Sequence, residues 1–205
     1  MDEMLAVVAK RAAEILDMGG VVLFPTDTLY GLGADAFSDD AVDKVYAIKG
    51  RNEGKPIHAL VKDVDMAAQF ADISVEVREL IQKLPKGKVT FICKKKSGFD
   101  TGVGRGIETF GFRIPDNAFC MAMLDAFDAP ITATSANLSG ARAHNTLEEI
   151  REQLGDSAHG IALAIDGGAL ETSEASTVVD MTASPPRILR VGAVSEAEFT
   201  RILSL

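Results

Sequence analysis

The sequence predicts an α/β protein with an open, twisted sheet of mixed strand direction and flanking helices. Apolar runs typical of strands alternate with helical patterns early in the chain, as they do in other α/β proteins. The later strands follow one another closely, which argues against a purely parallel, doubly wound sheet. The composition shows no break, repeat or low-complexity linker, and 205 residues fit one domain. We therefore expect a single domain over residues 1–205.

Strands are predicted where short apolar runs are bounded by turn residues or charges. The first strand follows a helix that ends at Gly19 and Gly20, and the polar, glycine-rich segment 25–33, PTDTLYGLG, comes directly after it. The predicted strands are 21–24, 57–61, 88–94, 109–114, 130–134, 160–166, 176–181 and 187–191.

Helices are predicted from apolar residues at spacings of three and four and from capping residues at the helix ends. Ser38 or Asp39 caps the second helix, and Gly50 ends it. Thr146 and Glu149 form a capping box. The predicted helices are 5–16, 39–49, 64–70, 74–83, 117–127, 146–154 and one that begins after Ser195.

Composition and charge exclude several classes of protein. The formal net charge of -9 argues against broad, non-specific DNA binding, because a surface that follows phosphates needs an excess of Lys and Arg. No apolar run approaches the roughly 20 residues that cross a bilayer, and charges interrupt the first apolar stretch, so neither a membrane span nor a secretory signal is expected. Cys93 and Cys120 lie in apolar stretches and are expected to be reduced thiols of a cytoplasmic protein.

Two glycine-containing segments fail the rules for nucleotide-binding loops. Segment 50–56, GRNEGKP, has three residues between its glycines, and Pro56 stands where a phosphate loop needs Ser or Thr. Segment 102–106, GVGRG, lacks the spacing of a dinucleotide fingerprint. The three histidines share no metal-ligand spacing, so no metal held by protein side chains is predicted.

Several cations need an explanation. Lys49, Arg51 and Lys55 lie within seven residues at the end of the second helix. They are either a solvated helix C-terminus, where cations favour the helix dipole, or an anion site in which Arg supplies a planar fork and Lys a point charge. Arg113, next to phenylalanine in an apolar strand, and Arg190 each require a structural carboxylate or a substrate carboxylate as partner.

Two further polar segments leave alternatives open. Residues 133–140, ATSANLSG, are either a polar turn or a group of donors for phosphate and ribose oxygens. The lysines at 83, 86, 88 and 94–96 are either a solvated face or a contact for RNA phosphates.

Six segments occur in an order that is far more specific than any one of them. They are PTDTLYGLG (25–33), IKGR…KP (48–56), FRIP (112–115), TSANLSG (134–140), STVVD (176–180) and ILRVG (188–192). In this order they resemble the YrdC/TsaC family, the L-threonylcarbamoyladenylate synthases of tRNA modification, over nearly the whole chain. The resemblance implies a YrdC-like open α/β fold with a concave groove, in the short, single-domain form.

The resemblance also implies a reaction and its participants. The substrates would be L-threonine, bicarbonate or carbon dioxide, and ATP with Mg²⁺ carried on the nucleotide; the products would be threonylcarbamoyl-AMP and pyrophosphate. A downstream tRNA threonylcarbamoyltransferase complex would then modify the adenosine beside the anticodon. Two alternatives are a YciO-like paralogue with different chemistry and a double-stranded RNA-binding module without this activity.

Matching the motifs residue by residue gives candidate site residues. Lys49 and Arg51 are assigned the catalytic role of offsetting the charge of the reacting anions. The residues implied for L-threonine are Thr26, Thr28, Arg113, Ala133 and Ser176. Those implied for ATP are Lys49, Arg51, Lys55, Thr109, Ser135, Asn137 and Arg190. Gly31 and Gly33 are expected to let the backbone approach a ligand closely.

Two positions depart from the family pattern. Leu60 stands where many members have His, and Ala143 stands where many have a Ser that contacts ATP. His58, two residues before Leu60, is left without an assigned role. His144 or Asn145 is the candidate to replace the missing Ser.

Overall fold

A computed structural model describes residues 3–50, 56–171 and 174–204 and has the predicted fold class. The strands are β1 Val22–Pro25, β2 Tyr30–Gly33, β3 His58–Leu60, β4 Val89–Lys94, β5 Thr109–Arg113, β6 Ile131–Ser135, β7 Leu163–Ala164, β8 Thr177–Asp180 and β9 Arg187–Arg190. The helices are α1 Glu3–Asp17, α2 Asp39–Lys49, α3 Val64–Ala68, α4 Val75–Lys83, α5 Ala118–Phe127, α6 Leu147–Leu154 and α7 Glu196–Leu203.

All nine described strands lie in one mixed sheet, in the order β7-β1-β2-β6-β3-β5-β4-β8-β9. β1 pairs parallel with β7, β3 with β5, and β4 with β8, whereas the other neighbouring strands run antiparallel. β6 lies between β2 and β3, although it follows β5 in the chain. Strands that are far apart in the sequence are therefore neighbours in the sheet.

The predicted elements are confirmed with small shifts at their ends. The largest difference is the predicted strand 160–166, of which only two residues form β7. β7 lies at the margin of the sheet and pairs with β1 alone among the described strands. α3 ends at Ala68, two residues before the predicted end.

The strand β2 lies in a segment that the sequence did not predict as a strand. It pairs antiparallel with β1 on one side and with β6 on the other. A strand is recognised in a sequence by alternating apolar and polar side chains. Gly31 and Gly33 have no side chain, so this alternation is hidden. Gly33 also accommodates a core ring rather than a ligand, because a Cβ there would lie 2.6 Å from Phe24 Cε1 and 2.9 Å from Ile131 Cγ2.

The packing around Gly31 differs from that around Gly33, so alanine at the two positions should affect stability differently. Gly33→Ala is expected to lower the free energy of unfolding by about 1–3 kcal/mol, because the added methyl group overpacks the core against Phe24. Gly31→Ala is the matched control, since its Cβ would meet Thr26 Cγ2 at an ordinary 3.4 Å. Urea denaturation of both variants measures the difference. Equal losses of stability would contradict the proposed role of Gly33.

The helix ends carry the caps that the sequence predicts. Ser38 Oγ accepts a hydrogen bond from the Ala41 N–H at the start of α2, which selects Ser38 over Asp39 as the cap. Gly50 ends α2 in the left-handed conformation with φ 55°. Thr146 caps α6 and Ser195 caps α7 in the same way. Each side chain accepts a hydrogen bond from the backbone N–H three residues later.

Apolar residues on the two faces of the sheet form two separate clusters. The larger cluster packs α2, α3, α4, α6 and α7 on one face. The smaller cluster packs α1 and α5 on the other face, and its fully buried strand residues come only from β1, β3 and β6 among the described strands. On β4 and β5, the residues that alternate with the buried phenylalanines belong to neither cluster: Thr90, Ile92, Thr109, Gly111 and Arg113. This part of the second face carries the candidate site.

None of the helices in the described part of the chain is both long and apolar enough to cross a membrane.

Candidate functional site

A pocket of about 150 Å³ lies on the second face of the sheet, and residues at or next to the ends of β1, β5, β6 and β9 and just before the start of β8 line it. Seven residues that the sequence assigns to the site line this pocket: Thr26, Thr28, Arg113, Ala133, Ser135, Ser176 and Arg190. The fold thus brings together assigned residues from five of the six motifs. The sixth, at 48–56, contributes Pro56 to the lining.

Arg113 and two threonine hydroxyls form one hydrogen-bonded group in the pocket wall. Arg113 Nη1 donates to Thr28 Oγ1 at 3.1 Å and to the Gly87 carbonyl at 2.9 Å, and Nη2 donates to Thr26 Oγ1 at 3.3 Å. The Thr26 hydroxyl in turn donates to the Leu29 carbonyl at 2.7 Å. These bonds fix the turn that connects β1 to β2 and hold the guanidinium in one orientation.

No role was predicted for Asp27 from the sequence. In the structure its carboxylate supplies a countercharge for Arg113. Its Oδ2 lies 3.8 Å from Arg113 Nη1, and its Oδ1 accepts a hydrogen bond from the Asp116 N–H at 3.0 Å. Burial raises the pKa of the Asp27 carboxyl, against the opposing effect of Arg113. Burial also lowers the pKa of the Arg113 guanidinium, against the effect of Asp27. Arg113 lines the pocket and Asp27 does not, so the carboxylate lies behind the guanidinium.

Gly87 provides the space for this carboxylate. A Cβ at Gly87 would lie 2.5 Å from Asp27 Cγ, and the residue has φ 73°, which other residues rarely adopt. The glycine therefore serves the ion pair directly: its carbonyl accepts from Arg113, and its missing side chain admits Asp27.

Thr90 of β4 and Arg190 of β9 hold Ser176 in another part of the pocket wall. Its hydroxyl lies 2.7 Å from Thr90 Oγ1, and its carbonyl accepts a hydrogen bond from Arg190 Nη2 at 2.7 Å. The Arg190 side chain keeps contact with solvent, but partial burial lowers the pKa of its guanidinium. Arg190 thus supports the pocket wall and still presents a positive charge to the pocket.

Lys49 supports the pocket from behind. Only 3% of this residue is exposed at the end of α2, and its ammonium group donates to the carbonyls of Ser135 and Asn137, the latter at 2.8 Å. The Asn137 amide nitrogen donates to the Ala141 carbonyl at 2.8 Å. These bonds fix the turn that follows β6, and with it the position of Ser135.

Three of the described site assignments fall outside the pocket lining. Lys49 and Asn137 are buried behind it. Thr109 lies on the same strand face as Arg113, about 13 Å along β5 at roughly 3.3 Å per residue. Arg51 and Lys55 lie outside the described residues. The ligand contacts assigned to these five residues, and those assigned to the residues that line the pocket, remain predictions.

The pocket also contains residues that the sequence did not assign. Thr90 is the single hydroxyl in the apolar run VTFIC, a signal that could have marked it. Tyr30 lines the pocket and fastens the loop after β7, because its hydroxyl donates to the Gly168 carbonyl at 2.7 Å. His58 lines the pocket as well, whereas Leu60 on the same face of β3 is fully buried beneath α1 and α5.

The candidates for the missing serine at Ala143 lie outside the pocket lining. His144 Nδ1 is 3.8 Å from Glu149 Oε1, and the Asn145 carbonyl accepts a hydrogen bond from the Leu170 N–H at 3.0 Å. Their role toward ATP remains a prediction.

The lysines between 83 and 96 do not form one continuous surface. Lys88 precedes β4 and Lys94 ends it, so about 20 Å of strand separates the two groups at roughly 3.3 Å per residue. Lys95 pairs with Asp100 at 3.0 Å, and Asp72 and Glu108 line the same shallow surface. These acidic neighbours weaken the case for an RNA phosphate contact there.

Known proteins identify the fold. The sequence profile of the Sua5/YciO/YrdC family, described as "Telomere recombination", matches residues 14–192. The chain belongs to this family. Its Sua5/YciO/YrdC relatives include the threonylcarbamoyl-AMP synthases of Bacillus subtilis, 32% identical over 195 residues, and Mus musculus, 35% identical over 179 residues. These matches cover 94% and 84% of the chain but 56% and 62% of the relatives, so the chain spans less than two thirds of their length.

Two solved structures of the Sua5/YciO/YrdC family confirm the fold class. P. abyssi Sua5 in complex with L-threonine matches with a TM-score of 0.89 and 28% identity, over 97% of this chain and 58% of that one. E. coli YciO matches with a TM-score of 0.83 and 26% identity, over 95% of this chain and 93% of that one. The resemblance drawn from the six ordered motifs is thereby confirmed.

Proposed function

We propose that the protein is an L-threonylcarbamoyladenylate synthase, which forms threonylcarbamoyl-AMP and pyrophosphate from L-threonine, carbon dioxide or bicarbonate, and ATP. The observation that carries the proposal is Arg113, whose guanidinium lines a small pocket beside two threonine hydroxyls while Asp27 balances its charge from behind. Related proteins with this enzyme name, and a related structure that contains L-threonine, support it.

The pocket suits an amino acid. A guanidinium binds a carboxylate through two parallel hydrogen bonds, which makes Arg113 the proposed partner of the threonine carboxylate. The hydroxyls of Thr26, Thr28 and Ser176 are proposed to orient the rest of the substrate without adding a charge. At about 150 Å³ the pocket is smaller than the roughly 300–1,000 Å³ of sites for drug-sized ligands. ATP is therefore proposed to extend beyond it, along the same sheet face toward Thr109.

The proposed reaction has two steps. The threonine nitrogen bonds to the carbon of carbon dioxide and forms an N-carboxylate. A carboxylate oxygen then bonds to the α-phosphorus of ATP, and the bond from that phosphorus to the bridging oxygen breaks and releases pyrophosphate.

Two anions meet in the second step, so their charge must be offset. A unit pair about 4 Å apart contributes on the order of 4 kcal/mol at an effective dielectric constant near 20. Arg190 is proposed to contribute to this effect together with Lys49, Arg51 and Lys55. Within the described ranges no group of three acidic, His or Cys side chains is arranged to hold a metal ion. Mg²⁺ is proposed to be carried by the ATP phosphates, which supply the oxygen ligands it prefers.

A YciO-like paralogue is the second candidate. E. coli YciO matches with a TM-score of 0.83 and 26% identity, near the 0.89 and 28% of P. abyssi Sua5, so the fold agrees with both candidates. A double-stranded RNA-binding module without catalysis has less support, because the lysines are divided between the two ends of β4.

The location and the downstream partner are part of the proposal. The threonylcarbamoyl group would pass to a tRNA threonylcarbamoyltransferase complex in the cytoplasm. A reducing compartment agrees with Cys93 and Cys120, which are both buried and unbridged. Burial raises the pKa of the Cys93 thiol to about 12, so this cysteine would stay a protonated core residue.

Pyrophosphate release tests the proposed function. The purified chain is incubated with ATP, MgCl₂, bicarbonate and each standard amino acid in turn. We expect release with L-threonine that is lost when bicarbonate is removed, and little release with D-threonine or L-valine. Absence of amino-acid-dependent release would contradict the proposal. If RNA binding with a steep salt dependence were found in its place, the RNA-binding module would be favoured.

A further inference from the structure

His58 is one of the residues that line the pocket. It begins β3, where it lies opposite Ala133 of β6. On the other side β3 pairs with β5, and the register Ala59–Phe112 places His58 beside Gly111. Neighbouring strands are about 4.8 Å apart, so these three residues form one row across the sheet. His58 is the only member of the row with a large side chain.

Glycine at 111 is what allows the imidazole to lie there. A Cβ at Gly111 would lie 2.5 Å from His58 Cδ2 and 2.9 Å from Ile92 Cδ1. The ring therefore lies over the backbone of β5, on the face that also carries Arg113 two residues further along. Arg113 and Ala133, the residues proposed to bind threonine, thus lie on the strands on either side of His58.

The imidazole of His58 differs in chemistry from the other titratable side chains that line the pocket. Among the described residues that line it, the other titratable side chains are Arg113 on β5, Arg190 on β9 and Tyr30 on β2. Both arginines stay cationic, and burial raises the pKa of the Tyr30 phenol, so it stays neutral. Asp27 lies behind Arg113 and is paired with it. Imidazole is the side chain that ordinarily changes its charge between pH 5 and 8.

The proposed first step needs such a group. An α-amino group is largely protonated at neutral pH and must lose a proton before its nitrogen can attack. We infer that His58 is the general base that accepts this proton when the substrate nitrogen attacks carbon dioxide. One ammonium proton passes to a ring nitrogen, and the released electron pair forms the N–C bond. The second proton leaves to water, the product is the N-carboxylate, and His58 afterwards returns its proton to solvent.

This role rests on the proposed synthase function and is tested with His58→Gln. Pyrophosphate release is measured between pH 6 and 9 at saturating ATP and bicarbonate and varied L-threonine. We expect kcat at pH 7 to fall about 100-fold or more, which is the usual contribution of a general base. The inflection that His58 gives to the wild-type pH profile should be absent in the variant, whose rate should rise steadily with pH as the substrate amine loses its proton to solvent. The KM for threonine should change less than threefold, because Arg113 still holds the carboxylate.

Two further variants serve as controls. His159→Gln makes the same change at an exposed residue of the 155–160 turn and should leave rate and pH profile unchanged. Gly111→Ala keeps His58 but displaces its ring, and it should lower kcat while the chain stays folded by circular dichroism.

The outcomes separate the two proposals. If the wild-type chain releases no pyrophosphate with any amino acid, the synthase function fails and the role of His58 fails with it. If the wild type is active and His58→Gln keeps its rate, only the role of His58 fails. The general-base role would also be overturned if His58→Gln lowered the rate but kept the shape of the wild-type pH profile. A variant with a higher KM for threonine and an unchanged kcat would overturn it as well.

Discussion

Replacing Arg113 with alanine is expected to raise the L-threonine concentration at half-maximal rate by about 100-fold. A hydrogen bond to a charged group contributes about 1.5–3 kcal/mol, and the guanidinium is proposed to make two of them to the substrate carboxylate. The effect should fall on KM for threonine far more than on the requirement for ATP. Initial rates of pyrophosphate release at varied threonine measure it.

The variant has to be separated from a folding defect, because Arg113 also balances the charge of the partly buried Asp27. The double variant Arg113→Ala/Asp27→Asn removes both charges and should regain most of the lost thermal stability without regaining threonine affinity. Arg11→Ala, at an exposed residue of α1, is the matched control for the arginine change. An Arg113→Ala enzyme with the threonine requirement of the wild type would rule out the carboxylate role.

The second large effect is expected at Lys49. Lys49→Met should lower the free energy of unfolding by about 2–5 kcal/mol, because each buried carbonyl left without a donor costs roughly 1–3 kcal/mol. Two carbonyls lose their donor here, those of Ser135 and Asn137. Pyrophosphate release should fall at least about 100-fold, since Ser135 lines the pocket and its turn is no longer fixed. Chemical denaturation and the pyrophosphate assay are applied to the same preparation.

Lys44→Met supplies the matched control on the same helix. Lys44 is exposed and its ammonium donates to the Gly19 carbonyl at the surface, so its loss should cost less than about 1 kcal/mol and leave the activity intact. If Lys49→Met were inactive but as stable as the control, the residue would act on ATP directly. A stable and fully active Lys49→Met would contradict both roles.

The sequence predicts the architecture well because most elements carry local signals. Apolar runs mark the central strands, and capping residues such as Ser38 and Thr146 fix helix ends through contacts within one turn. β2 is the exception, since two glycines remove the alternation that identifies a strand. Its pairing with β6 joins segments about 100 residues apart, and no local pattern reports such a contact.

The candidate site is predicted in part, for the same physical reason. Motif order identifies Arg113 and the threonine hydroxyls, which the fold does bring together. Asp27 and Thr90 escape notice because their roles depend on long-range partners, Arg113 and Ser176. Lys49 was predicted from its charge and its place in the IKGR…KP motif, and its contacts with the turn after β6 appear only once α2 is packed against the sheet.

The arrangement of the strands has a consequence for how the protein responds to its ligand. Thr26 follows β1 and Arg190 ends β9, so the pocket lining includes early and late segments of the chain and strands that are well separated in the sheet. A ligand that contacts both Thr26 and Arg190 links β1 to β9 across the strands that lie between them. Its binding energy is therefore added to the cooperative unfolding of the entire sheet rather than to the ordering of one loop. Saturation with substrate should consequently raise the melting temperature of the whole chain in a single transition.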